Sequence, residues 1–358
     1  MPLTKNQNLL LSYLKTKKSR DVVSEAEILE RTQWKQSTLD TYRTKNHLAR
    51  FLVPLPGGRY RVVRDGDTLA EREIADAFTQ VRPDILILMP GMELRGDNDL
   101  YELLTCIGEG AVAHVWKANA QKSAEQVAVK IMNPRGDLLD AANLPNVKQR
   151  FSREARNSGK LSHTNIVRYR DFGNLKEHPF LVMDLADTSL AKILETNVLA
   201  LEESLNVVHA CLSGLQYLHA QKCIHRDVKP LNVLRFGNRF VLGDLGIVRW
   251  PDLNPAFTSA GTITINSIRL GSWHYMAPEQ RMSPHEAGTF SDIYALGISW
   301  YEMLTRQTPD PGAIGAGEFP SPTANVTAEN LIRRMLSFNP QKRPTVEEAL
   351  ETVAALRG

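Results

Sequence analysis

The stretch that decides the fold is HRDVKPLN at 225–232, where an aspartate, a lysine two positions on and an asparagine five positions on share one short segment. A second aspartate follows in GDLG at 243–246, and APE stands at 277–279. Upstream lie IGEGAVAHV at 107–115 and VAVK at 127–130. Glycines let backbone amides approach phosphate oxygens closely, although the glycine segment alone is equally compatible with a simple hairpin. The five motifs taken together, rather than the glycine segment alone, therefore predict the fold.

In order and spacing, these motifs resemble the eukaryotic-type (Hanks-type) protein kinase family over about residues 101–358. The resemblance implies an α+β, bilobal fold, with a β-rich N-lobe at 101–183, a hinge at 184–186 and an α-helical C-lobe at 187–358. It also implies ATP and Mg²⁺ as cofactors and Ser/Thr hydroxyls of a protein substrate as phosphate acceptors.

The resemblance assigns a role to each catalytic residue, in a reaction that depends mostly on positioning and charge neutralisation. Asp227 would orient the substrate hydroxyl and accept its proton, and Lys229 would steady the γ-phosphate. Lys130 would contact the α- and β-phosphates while Glu154, on a predicted helix, holds its ammonium group. The implied Mg²⁺ ligands are Asn232 and Asp244.

The nucleotide site that the resemblance implies has a glycine-rich roof, an adenine sandwich and a hinge. Met183 would be the gatekeeper, before a hinge that offers backbone groups to adenine. Without the resemblance, the stretch around Met183 reads as an ordinary buried strand. The implied nucleotide-binding residues, besides Lys130, are Ile107, Gly108, Gly110, Val115, Ala128, Met183, Asp184, Ala186 and Leu234.

Three residues depart from the family pattern: Ala113 replaces the third glycine, Leu245 replaces the usual phenylalanine after Asp244, and Ser158 replaces an aliphatic residue. None removes a catalytic atom. We expect Ser158 and Leu245 to loosen the apolar column that aligns the regulatory helix, and so to lower basal activity. The scaffold residues implied by the resemblance are Asp292, Gly297 and the pair Glu279 with Arg343.

Other functions were weighed against a serine/threonine kinase: a pseudokinase or ATP-binding scaffold, a small-molecule phosphotransferase, a tyrosine kinase and a nucleic-acid-binding regulator. The complete catalytic set argues against a pseudokinase or ATP-binding scaffold. APE at 277–279 argues against a small-molecule phosphotransferase, and Lys229 with GS at 271–272 argues against a tyrosine kinase. Arg226 precedes the catalytic aspartate, so we expect autophosphorylation of the following segment to order it. The candidate sites are Thr258, Ser259, Thr262, Thr264 and Ser267.

Residues 1–64 form a basic module with a net charge of +8, before a linker at 65–100 that contains one amphipathic helix at 67–80. Short helical patterns lead to a capping box at Ser24 and Glu27, a third helix from about residue 37, and a hairpin around PGG at 56–58. The module resembles a winged helix-turn-helix and is predicted to bind DNA or a regulatory protein. Its candidate phosphate contacts are Lys35, Arg43, Lys45, Arg59 and Arg61.

The composition excludes few functions, since 42% hydrophobic and 23% charged residues are ordinary for a protein with a buried core. The sequence has no apolar run near the roughly 20 residues that span a bilayer, so no membrane association is expected. The three cysteines are widely spaced and match no metal-ligand pattern. They are interpreted as reduced thiols of a cytoplasmic protein.

Overall fold

The computed structural model describes residues 13, 22–32, 52–55, 59–62, 86, 88–110, 112–133, 148–149, 151–152, 157–245, 273–283 and 286–358. The chain divides into two compact units, one made of 1–87 with 133–137 and the other of 88–132 with 138–358. Among the helices within these ranges, none combines the length and the apolar character needed to cross a membrane.

The smaller unit contains a three-stranded antiparallel sheet of β1 (Val22–Ser24), β2 (Leu52–Leu55) and β3 (Arg59–Val62), in the order β1-β3-β2. Helix α1 (Glu25–Thr32) follows β1, and the Ser24 hydroxyl accepts a hydrogen bond from the Glu27 amide at 3.1 Å. The predicted cap and hairpin are therefore confirmed. The other predicted helices of 1–80, with Lys35, Arg43 and Lys45, lie outside the described residues.

The larger unit begins with a six-stranded antiparallel sheet of β4 (Glu93–Arg95), β5 (Leu100–Glu109), β6 (Ala113–Ala120), β7 (Gln126–Met132), β8 (Tyr169–Leu175) and β9 (His178–Asp184). The strand order is β4-β5-β6-β7-β9-β8. Strands β7 and β9 lie inside the sheet and are nearly continuous in apolar residues, as strands buried on both faces require.

Strand β4 differs from the linker that the sequence predicted for 65–100, because it pairs with β5 and extends the sheet. The turn after β4 also meets the other edge, where Gly96 bridges to Gly173 on β8. The buried Asp171 carboxylate accepts hydrogen bonds from the Asn98 amide at 3.0 Å and the Tyr101 hydroxyl at 2.8 Å. A β-carbon at Gly96 would lie 2.2 Å from that carboxylate, so only glycine fits this approach.

The rest of the larger unit is mainly helical and is built around two long helices, α3 (Leu201–Ala220) and α5 (Thr289–Thr305). Trp300 of α5 is fully buried, and its indole N–H donates to the Ser204 hydroxyl of α3 at 2.9 Å. A small sheet of β10 (Thr188–Ser189), β11 (Val233–Phe236) and β12 (Arg239–Leu242) borders this core. The other helices are α2 (Leu190–Leu194), α4 (Pro278–Met282), α6 (Pro311–Ala316), α7 (Val326–Met335) and α8 (Val346–Arg357).

Candidate active site

The segment 225–232 brings a carboxylate, an ammonium group and a side-chain amide into contact. The Lys229 ammonium lies 2.7 Å from the Asp227 carboxylate, and the Asn232 side-chain amide donates to the same carboxylate at 2.9 Å and to the Asp227 carbonyl at 2.8 Å. The side chains of Asp227 and Lys229 are only 10% and 13% exposed. Two donors thus orient the carboxylate, which can accept a proton from a hydroxyl group placed beside it.

A β-hairpin places the two predicted metal ligands beside each other. Val233 pairs with Leu242 at the open end of the β11–β12 hairpin, so Asn232 and Gly243 leave it side by side. The Gly243 amide donates to the Asn232 carbonyl at 2.8 Å, and Asp244 comes next. One amide and one carboxylate oxygen suit Mg²⁺, which usually takes few protein ligands and completes its shell with water and phosphate. The described part of the chain holds no cluster of three His, Cys, Asp or Glu residues for a metal.

Lys130 forms an ion pair with Asp244, which lies 114 positions further along the chain. Partial burial of Asp244 raises the pKa of its carboxyl, but the charge and hydrogen bond of Lys130, with smaller effects of Lys229 and His225, bring the pKa below its usual value. Asp244 is therefore ionised at neutral pH and can bind a cation. Glu154, the predicted partner of Lys130, lies outside the described residues.

The residues predicted for the nucleotide site lie on β5, β6, β7 and β9 of the large sheet and on β11. Gly108 pairs with Val115 across the β5–β6 turn, and Ala128 pairs with Met183 between β7 and β9. Ala128 and Met183 are buried in one apolar cluster, against which Val115 and Leu234 pack. Ile107 is half exposed. The adenine sandwich stays a prediction. Gly110 follows β5 in the loop, where its amide donates to the Ala113 carbonyl at 2.9 Å.

The hinge contains an ion-pair network that the sequence analysis missed. The Arg170 guanidinium on β8 contacts the Asp184 carboxylate at the end of β9 and the Glu125 carboxylate before β7. The Asp184 amide donates to the Arg168 carbonyl at 3.1 Å, and the contact of the hinge backbone with adenine stays a prediction. Ala186 lies in the connection after β9, where the hinge was predicted. No local sequence signal links Arg170 to Asp184, because sheet pairing brings them together.

Two scaffold predictions are confirmed. Arg343 donates two hydrogen bonds to Glu279, at 2.7 Å and 2.9 Å. Burial raises the pKa of Glu279, but the hydrogen bonds from Arg343 and Ser291 outweigh this effect, so the net shift of the pKa is downward. Asp292 accepts hydrogen bonds from the backbone amides of 225 and 226, which fixes the catalytic segment to α5.

A cavity of about 270 Å³ opens beside the catalytic segment, and Lys229 is part of its wall. The Tyr275 hydroxyl on another wall donates to the Glu302 carboxylate at 2.6 Å. Tyr275 stands two residues before APE at 277–279, so this cavity borders that motif. The five predicted phosphorylation sites lie between 246 and 272, outside the described residues.

Comparisons with known proteins point to one family. The protein kinase domain model matches residues 101–353. The chain is 32% identical over 267 residues to the serine/threonine-protein kinase PrkC of Bacillus subtilis, covering 70% of this chain and 39% of PrkC. It is 31% identical over 220 residues to the serine/threonine-protein kinase PknA of Mycobacterium tuberculosis, covering 59% of this chain and 48% of PknA. The chain therefore spans less than half the length of these relatives.

A solved structure has a similar fold. The kinase domain of Mycobacterium tuberculosis PknI, crystallised as a cysteine-to-alanine mutant, superposes with a TM-score of 0.56 at 21% identity. The match covers 76% of this chain and 100% of that one. At this identity the similarity establishes a shared fold, with a β-sheet lobe and a helical lobe.

Proposed function

Because the chain belongs to the protein kinase family, whose domain model matches residues 101–353, we propose that it is a serine/threonine protein kinase using ATP and Mg²⁺. The observation that carries the proposal is the convergence of Asp227, Lys229, Asn232 and Asp244. Residues that are up to 17 positions apart bring together a carboxylate held by two donors, an ammonium group, and the amide and carboxylate side chains proposed to bind the metal.

Each group has a role that follows from its surroundings. Asp227 orients the acceptor hydroxyl and takes its proton, while Lys229 beside it balances the negative charge that develops on the transferred phosphoryl group. Lys130 supplies a second positive charge for the phosphates, and Glu154 is proposed to orient Lys130 during turnover. Mg²⁺, held by Asn232 and Asp244, would neutralise phosphate charge and bring the phosphates into line.

The acceptor is proposed to be a protein rather than a small molecule. APE at 277–279 closes a segment that is characteristic of protein-phosphorylating members, and Glu279 is fixed by Arg343 in a buried pair. The cavity between Lys229 and Tyr275 offers a place for side chains that flank the acceptor. Lys229 itself favours Ser and Thr over Tyr acceptors, and PrkC and PknA are named as serine/threonine kinases.

The test is phosphotransfer from labelled ATP with Mg²⁺ to casein, followed by mass-spectrometric mapping of the phosphosites. We expect phosphoserine and phosphothreonine, loss of label in Asp227→Asn, and normal labelling in Glu318→Gln, which removes an exposed carboxylate elsewhere. Phosphotyrosine alone would contradict the acceptor class. Magnesium-dependent ATP binding without transfer would establish the pseudokinase alternative.

For the amino-terminal module at 1–64 we propose a winged helix-turn-helix that binds DNA or a regulatory protein. Its basic charge of +8 supports an anionic partner. The sheet order β1-β3-β2 next to a capped helix supports the winged arrangement. Arg59 and Arg61 belong to β3, the strand of the proposed wing. A cytoplasmic location stays a prediction.

A further inference from the structure

A tyrosine hydroxyl contacts the backbone immediately after the metal ligand Asp244. The Leu245 amide donates a hydrogen bond of 3.2 Å to the Tyr169 hydroxyl, across 76 positions of sequence. Tyr169 is the first residue of β8, is 9% exposed and belongs to the same apolar cluster as Leu245, which is 1% exposed. A buried amide needs a partner, and here a side chain from the sheet provides it.

The backbone at Asp244 has a conformation that requires support. Its φ is +52°, in the left-handed region that residues with a β-carbon rarely adopt, although aspartate tolerates it better than most. The Gly243 carbonyl, which belongs to the peptide before Asp244, accepts a hydrogen bond from the His225 imidazole at 3.1 Å. The peptide after Asp244 is held by Tyr169. The two hydrogen bonds together determine the direction in which the Asp244 carboxylate leaves the chain.

We propose that Tyr169 is a positioning residue for the reaction: its hydroxyl holds the peptide after Asp244 so that the carboxylate stays beside Asn232, ready for a divalent cation. This inference rests on the proposed function of the same site. Without the hydroxyl, the buried Leu245 amide has lost an acceptor, and the peptide can rotate to find another one. Such a rotation relaxes the left-handed conformation and moves the carboxylate away from Asn232.

The same contact bears on the departure from the family pattern at Leu245. A leucine fills less space than the phenylalanine usually found there, which by itself predicts a looser apolar column. Tyr169 contributes a large ring to the cluster and a polar attachment to the Leu245 backbone. The hydrogen bond from the Leu245 amide to Tyr169 involves only the backbone of Leu245, so it forms whichever side chain stands at that position. It therefore opposes the loosening of the apolar column that leucine allows.

The experiment compares Tyr169→Phe with Tyr101→Phe in the full chain. Both variants remove one buried tyrosine hydroxyl from the same sheet, since Tyr101 donates to Asp171 at 2.8 Å and is 3% exposed. Binding of a non-hydrolysable ATP analogue is measured by calorimetry across a Mg²⁺ series and with no metal. We expect Tyr169→Phe to need about 3- to 10-fold more Mg²⁺ for half-maximal binding, as loss of one hydrogen bond suggests. Metal-free binding should not change.

The outcomes are distinct. A Mg²⁺ requirement that is unchanged in Tyr169→Phe, or raised equally in Tyr101→Phe, overturns the proposal, because an equal change would reflect general loosening of the sheet. In kinetic assays we expect Tyr169→Phe to lower kcat at limiting Mg²⁺ while KM for the protein substrate stays constant. The binding experiment requires no turnover. If the wild-type protein binds the analogue with Mg²⁺ but transfers no phosphate, the proposed function fails while the Mg²⁺ comparison still decides the role of Tyr169.

Discussion

The clearest perturbation is Arg343→Met, which removes a buried guanidinium and keeps most of the side-chain volume. The Arg343 side chain is 0% exposed. It donates to Glu279 at 2.7 Å and 2.9 Å, and to the carbonyls of Ser337 at 2.8 Å and Phe290 at 2.9 Å. Methionine can make none of these hydrogen bonds. Arg343 also donates to the Phe338 carbonyl at 3.3 Å, so the variant leaves three carbonyls without this donor. The Glu279 carboxylate, near the start of α4, keeps only its hydrogen bond from Ser291 at 2.7 Å.

The expected loss in free energy of unfolding is about 3 to 5 kcal/mol, because breaking a buried ion pair leaves an uncompensated charge. The matched control is Arg334→Met, which removes the same group from a pair with Glu348 at 2.7 Å. There both side chains are more than half exposed, at 52% and 54%. Solvent screening limits the cost of the control to about 1 kcal/mol or less.

The pH dependence provides an independent check. The pKa of Glu279 is lowered in the folded wild type, so its contribution to stability is present above the pKa of an unfolded glutamate and is lost as pH falls through the folded value. In Arg343→Met the pKa of Glu279 no longer feels the charge and hydrogen bonds of Arg343. Burial still raises this pKa, the Ser291 hydrogen bond still lowers it, and the charged form is less stable at neutral pH than in the wild type. The difference between the two proteins should therefore shrink as pH falls below about 5.

Urea unfolding of the full chain, followed by circular dichroism at pH 7 and pH 4, measures both effects through the denaturation midpoint. Arg343→Met should lower the midpoint strongly at pH 7 and much less at pH 4. Arg334→Met should change little at either pH. A loss below 1 kcal/mol at pH 7, or a loss that does not depend on pH, would refute the reasoning about a buried pair.

Three further predictions concern activity and binding. Phosphotransfer should fall by about 10²- to 10⁴-fold in each of Asp227→Ala, Lys130→Ala and Asp244→Ala, while circular dichroism stays unchanged. Near wild-type turnover in Asp227→Ala would contradict the assignment of Asp227 as the general base. Phosphosite mapping of active protein should find modification between 246 and 272, and alanine at all the candidate sites should reduce activity; an unmodified segment would count against this. The candidates are Thr258, Ser259, Thr262, Thr264 and Ser267. If 1–64 binds DNA, triple alanine substitution should flatten the slope of log affinity against log salt by nearly 3, whereas weak binding unaffected by it would favour a protein partner. The substituted residues are Arg43, Lys45 and Arg59.

The sequence alone predicted contacts between functional residues that lie close together along the chain. Asp227, Lys229 and Asn232 lie within six residues, so their contact follows from one turn of backbone. The resemblance also implied Arg343 as the partner of Glu279, although 64 residues separate them. The approach of Lys130 to Asp244 is a different case: both were placed at the phosphates, but the direct ion pair between them was not foreseen.

The sequence was insufficient where contacts depend on which strands become neighbours. Arg170 contacts Asp184 only because β8 and β9 pair. Tyr169 contacts Leu245 only because β8 begins close to the peptide that follows Asp244. Strand β4 was missed for a related reason. Its three residues look like part of a polar linker, and the partner that buries its turn, Asp171, stands more than 70 positions away.

The position of the catalytic base depends on α5 more than on its neighbours in the chain. Arg226, directly before Asp227, has a φ of +69° and is held in this rare conformation from two sides. Asp292, which is fully buried, accepts from the Arg226 amide at 2.7 Å, and Gln280 donates to the Arg226 carbonyl at 2.9 Å. His219 lies 2.8 Å from Asp292 and donates to it, since a carboxylate can only accept.

A buried carboxylate is costly unless donors surround it, and the donors of Asp292 include the backbone of the catalytic segment itself, through the amides of 225 and 226. The cost of burying that charge therefore decreases further when the segment adopts the geometry that catalysis needs. Leaving that geometry would remove two hydrogen bonds from the buried carboxylate and leave it with the one from His219. The fold of the helical lobe and the placement of Asp227 are thus stabilised by the same hydrogen bonds, which is why a strained backbone can persist beside the reacting groups.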